Sequence, residues 1–148
     1  MGERIPAPAA PSDGTPLIRA VGLRKTYQMG QTAVHALAGI DLDIPAGSFT
    51  VVMGPSGSGK STLLHLIGGL DRPTEGRIEV MGQPIDQLNE NELALYRRQM
   101  VGFVFQSFNL IPAMTALENL AQPMRFSGLP RPKRLEQAKA KLHQLGQA

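Results

Sequence analysis

Residues 49–68 read FTVVMGPSGSGKSTLLHLIG. An apolar run is followed by a glycine-rich turn and then by a segment of helical composition. Gly54, Gly59, Lys60 and Ser61 fall at the fixed positions of the phosphate-binding P-loop, G-x-x-x-x-G-K-[ST]. Each residue type has a physical reason to be there. Glycines let the backbone curl until successive N–H groups point at phosphate oxygens. The following helix aims its positive end at the same oxygens. Lys60 is suited to reach the β- and γ-phosphates, and Ser61 to offer its hydroxyl oxygen to Mg²⁺. The candidate nucleotide-binding residues are therefore Gly54, Pro55, Ser56, Gly57, Ser58, Gly59, Lys60, Ser61 and Thr62. The loop by itself says phosphate, not what the phosphate is for.

The flanking sequence predicts an α/β chain. Residues 17–21 and 34–44 read as strands, the second with Ile40, Leu42 and Ile44 on one face and Asp41 and Asp43 on the other. The uniformly apolar FTVVM (49–53) and VGFVF (101–105) read as strands covered on both faces. A helix is expected over 61–68, ended by GGLDRPTEG, and RIEVMG (77–82) reads as another strand and turn. Asn89 is a predicted cap for a helix to Met100, with acids early and arginines late. Thr115 with Glu118 reads as a capping box that starts a helix over 115–124. A last helix is expected over 133–146, with Leu135, Ala138, Leu142 and Leu145 near one face.

Composition narrows the function. The chain has 148 residues, 42% hydrophobic and 18% charged, which suits one folded domain. Fifteen Lys and Arg against twelve Asp and Glu give a net charge of +3, dispersed rather than clustered, so no nucleic-acid partner is expected. There is no cysteine, and the three histidines, His35, His65 and His143, lie far apart without ligand spacing. No apolar run is long enough to span a membrane. Residues 1–16 lack a signal-peptide apolar core and read as a disordered leader of small residues and proline.

Two further residues sharpen the P-loop. Tyr27, in RKTY upstream, can stack on adenine, although a tyrosine at a strand end is also an ordinary packing residue. Gln106 closes VGFVF, at the strand edge where α/β folds place ligand groups; its amide oxygen can ligate Mg²⁺ or orient water, or it can simply make a turn. Together these residues resemble the ATP-binding subunit of an ABC transporter. The P-loop matches the Walker A motif, Tyr27 the A-loop aromatic and Gln106 the Q-loop glutamine. The resemblance covers 17–148, and TYQMG and ALENL bring it closest to the group serving lipoprotein release and macrolide or peptide export. It implies ATP and Mg²⁺ as cofactors and a second ATP-binding subunit. It also implies a membrane permease docking near 106–120, and a cytoplasmic protein peripheral on the inner face of the membrane.

The resemblance also implies parts that the sequence lacks. There is no apolar strand ending in Asp-Glu (Walker B), no LSGGQ-type signature and no switch histidine; His143 falls in a predicted helix. The expected fold is thus an α/β P-loop NTPase core with an antiparallel β subdomain, truncated before the Walker B strand and signature helix. In the family the Walker B strand lies beside the P-loop strand. Without it, 49–53 and 101–105 should expose apolar faces, leaving a poorly soluble or partly ordered chain with negligible hydrolysis. The alternative reading is a small P-loop nucleotide-binding or interaction module without ATPase activity. A small P-loop kinase is a third, supported only by YRRQ (96–99).

Overall fold

A computed structural model describes residues 16–146; the expected leader lies almost wholly outside them. The chain divides into two compact units, 1–102 and 103–148.

The first unit is built on a four-stranded antiparallel sheet in the order β2-β1-β3-β4. Its strands are β1 (Ile18–Met29), β2 (Thr32–Ile44), β3 (Glu75–Val80) and β4 (Gln83–Pro84). β2 alternates as the sequence predicts, with Ile40, Leu42 and Ile44 partly buried and Asp41 and Asp43 exposed. The ladder steps between Lys25↔Leu37 and Thr26↔His35, leaving Ala36 as an extra residue on β2. Two helices complete the unit, α1 (Lys60–Ile67) and α2 (Glu90–Met100). The core joins sheet and helices through Ala20, Leu23, Leu37, Leu63, Leu66, Ile78, Val80, Ile85 and Tyr96.

Local signals set the ends of α2. Asn89 accepts from the N–H groups of Asn91 and Glu92, while the Glu92 carboxylate accepts from the Asn89 N–H at 2.7 Å. Arg72 ties the connection after α1 to the start of α2, donating to the Leu88 carbonyl at 2.5 Å and to Glu90 Oε1 at 3.1 Å.

The second unit contains α3 (Ala116–Ala121) and α4 (Arg131–Gln144). The Thr115–Glu118 capping box forms as predicted. Asn119 organises the irregular stretch before it, accepting from the Ile111 N–H at 2.7 Å and donating to the carbonyls of Ile111, Met114 and Thr115. α3 is shorter than the sequence suggests, because Pro123 starts a 3₁₀ turn. Ala138 is the buried residue of α4, whereas Leu145 lies past the helix end and is exposed, which corrects its expected place on the packed face.

The largest correction concerns the two apolar segments. Neither 49–53 nor 101–105 joins a ladder among the described residues. Phe49 is 94% exposed, Met53 85% and Val104 100%. A strand exists only through its partners, and an apolar strand also needs cover on both faces. The described residues supply neither. The exposure of these apolar side chains is itself what the sequence leads one to expect.

Candidate nucleotide site

The site begins where the apolar segment 49–53 turns into α1. Gly54 has φ 156 and Gly59 has φ 87, backbone conformations in which an L side chain is strained. Space reinforces the requirement. A Cβ on Gly54 would sit 2.8 Å from Ser58 Oγ, and one on Gly59 would collide with the Ala36 carbonyl, the extra residue of β2. The bulge and the loop are therefore fitted to each other.

Gly59 is the N-cap of α1 and provides no side-chain hydrogen bond. The first N–H groups of any helix lack intrahelical partners. Those of Lys60, Ser61 and Thr62 thus remain available at the positive end of α1. The Lys60 ammonium folds over the loop, donating to the carbonyls of Gly54 at 2.9 Å and Pro55 at 2.6 Å. Ser58 N–H donates to the Pro55 carbonyl at 3.3 Å and closes the loop's first turn. Glycines that permit close approach, open N–H groups, a flexible cation and an exposed Ser61 hydroxyl form a donor set that fits a nucleotide phosphate with its magnesium ion.

Tyr27 belongs to the same unit. Its hydroxyl donates to Asp71 Oδ2 at 2.7 Å. Burial, and then that bond, push the Tyr27 phenol up. Thr62, in the first turn of α1, opposes that rise, so two of the sequence-predicted residues lie near each other. Lys25 donates to Asp71 Oδ1 at 2.6 Å and to the Arg72 carbonyl at 2.7 Å, with its ammonium 4.9 Å from the Tyr27 ring centroid. Burial disfavours the Asp71 carboxylate's charge. Hydrogen bonds from Lys25, Tyr27 and the Arg72 N–H outweigh it and hold the group below the usual carboxylate range.

Lys25 and Asp71 escape a reading of motifs. A lysine two residues before Tyr27 on one strand shares its face, which is a usable signal. Asp71 sits in a stretch legible only as helix punctuation. Gln106 belongs to the second unit and is exposed. His35 is occupied by Thr26, Nδ1 to Oγ1 at 3.0 Å, and among the described residues no cluster of His, Cys, Asp and Glu can hold a metal ion. No helix among them is long and apolar enough to cross a membrane.

Comparison with known proteins agrees with this geometry. A family model described as ABC transporter matches residues 37–148. An uncharacterized ABC transporter ATP-binding protein of Thermotoga maritima is 44% identical over 126 residues, spanning 85% of this chain and 54% of that protein. The macrolide export ATP-binding/permease protein MacB of Brucella abortus is 50% identical over 132 residues, spanning 89% of this chain and 20% of MacB. The chain thus spans about half, or less, of these relatives. Among solved structures, the ATP-binding cassette MJ0796 of Methanocaldococcus jannaschii, a dimer in a post-hydrolysis state with ADP and Pi, superposes with a TM-score of 0.76. It is 43% identical and covers 85% of this chain and 56% of that one. The ABC transporter match over 37–148, with these identities across most of the sequence, places the chain in the ABC transporter ATP-binding family.

Proposed function

We propose that residues 17–148 form part of an ATP-binding domain that holds MgATP on 54–62. It works with a second ATP-binding subunit and a membrane permease in export or lipoprotein release. The observation that carries the reading is the uncapped start of α1, where Gly59 leaves N–H groups open beside the Lys60 ammonium. In this reading Lys60 neutralises phosphate charge, Ser61 and Gln106 are the Mg²⁺ ligands, and the Tyr27 ring carries the adenine. The similarity to MacB and to the pyoverdine export protein PvdT of Pseudomonas fluorescens supports the export assignment. The dimeric MJ0796 structures support pairing with a second subunit.

The exposed Phe108, Leu110 and Ile111 of the second unit support permease docking along 106–120. Such a subunit works from the cytoplasm, peripheral on the inner face of the membrane. The sequence offers no Asp-Glu pair at the end of an apolar strand and no signature motif, so binding without turnover is expected. Titration with a fluorescent ATP analogue tests both points. Lys60→Ala should weaken binding roughly ten- to hundred-fold, the worth of a charge-assisted bond to phosphate. Unchanged affinity in that variant would remove the site, and steady ATP turnover by the chain would overturn the non-hydrolytic assignment.

A further inference from the structure

We infer that Lys25 and Asp71 are positioning residues for the nucleotide base, acting through the Tyr27 ring. The inference rests on the reading of Tyr27 as the base platform. Two contacts hold that ring, and a third joins the two partners to each other. Its hydroxyl is bonded to Asp71 at 2.7 Å, the Lys25 ammonium lies 4.9 Å from its centroid, and the ammonium is bonded to Asp71 at 2.6 Å. The carboxylate therefore grips both partners, and its Oδ1 also accepts from the Arg72 N–H at 2.7 Å. The pair is largely withdrawn from water, with side-chain exposures of 13% for Lys25 and 29% for Asp71. Solvent screening of the pair is correspondingly reduced.

Two consequences follow from elementary chemistry. First, the ring is pre-oriented. A free tyrosine on a strand must lose rotamer freedom when a base stacks on it, whereas this one has already lost it on folding. Second, the ring is polarised. A cation over one face draws π-electron density towards itself, and the opposite face becomes a better partner for an electron-rich purine. With the ammonium on one face, the other is the face left for a base. Asp71 holds the cation together with the Arg72 carbonyl and is the only one of the two that also binds the Tyr27 hydroxyl, so it links the cation to the ring.

The split between base and phosphate affinity tests this. Binding of ATP and of inorganic tripolyphosphate is measured on the full chain and on Lys25→Met, Lys25→Arg and Tyr27→Ala, with circular dichroism to check folding. Lys25→Met should weaken ATP roughly five-fold and leave tripolyphosphate unchanged, and Lys25→Arg should recover most of the ATP affinity. An equal loss for both ligands would mean that Lys25 merely supports the fold around the loop, and the inference fails. If Tyr27→Ala weakens ATP but Lys25→Met does not, the platform stands and this inference alone is lost. If Tyr27→Ala leaves ATP affinity unchanged, the platform reading fails and takes the inference with it.

Discussion

At its start α1 meets Gly59, a residue in the left-handed region with no side chain to offer the helix. At its end the same helix is held by donors from α2. The Tyr96 hydroxyl donates to the Ile67 carbonyl at 2.8 Å, and Arg97 donates to the Gly69 carbonyl at 2.5 Å. Both ends of a helix carry backbone groups that its own ladder cannot satisfy. Here the carbonyls are satisfied by the protein and the N–H groups are left open. The starts of α2 and α3 differ, since both close theirs with full capping boxes, while α4 begins after Pro130 without a side-chain cap. One chain thus uses two chemistries for the same structural problem. The starts of α2 and α3 are capped for stability, and the start of α1 is left open where the proposed phosphate site lies.

The largest way to break that contrast is Gly59→Ala. The methyl group would be strained by φ 87 and would press on the Ala36 carbonyl, a backbone atom that cannot swing away. We expect a loss of roughly 2 kcal/mol or more in urea unfolding, together with much weaker ATP binding. A variant with wild-type midpoint and affinity would show that neither the left-handed conformation nor the bulge at Ala36 holds the loop.

The opposite end of α1 gives a smaller and different effect. Tyr96→Phe removes the donor to the Ile67 carbonyl and should cost about 1 kcal/mol while leaving tripolyphosphate affinity intact. It also carries a pH signature. Burial pushes the Tyr96 phenol up from 10.0 to about 12, so the folded state favours the protonated form. The stability this contributes is full below the unfolded value and is lost as pH rises from about 10 towards about 12. Denaturant midpoints of wild type and Tyr96→Phe should therefore converge and then cross within that window, because two pKa units are worth about 2.7 kcal/mol. A constant gap between them would mean that the phenol does not titrate against folding.

What the sequence disclosed follows from what is local. The P-loop, the extent of α1 and the caps at Asn89 and Thr115 were legible because each is decided within a few residues. The segments 49–53 and 101–105 were misjudged as strands because a strand is a relation between distant segments, and apolar composition reports only the demand for burial. The Lys25–Asp71 pair is hidden from the sequence for a similar reason. Its members are separated by 46 positions and meet only because β1 passes the connection that follows α1. Tyr27 is legible as a candidate in the sequence, whereas what holds its ring is a matter of three-dimensional contact.

The smallest expected effect is the sharpest control. Asn89→Ala deprives the N–H groups of Asn91 and Glu92 of their acceptor, and the start of α2 should lose about 1 kcal/mol. The Glu92 carboxylate can still hold the Asn89 N–H, so part of the box survives. Asn89→Gly should cost only a few tenths of a kcal/mol, because glycine tolerates the cap position and lets water reach the exposed donors. Neither change touches the loop at 54–62, so ATP affinity should stay at the wild-type level in both. That pattern would show that an exposed helix start is closed for stability at α2 and left open for a ligand at α1. Weaker ATP binding in Asn89→Ala at matched folding would instead tie the start of α2 to the nucleotide site, and the distinction between the two kinds of helix start would fail.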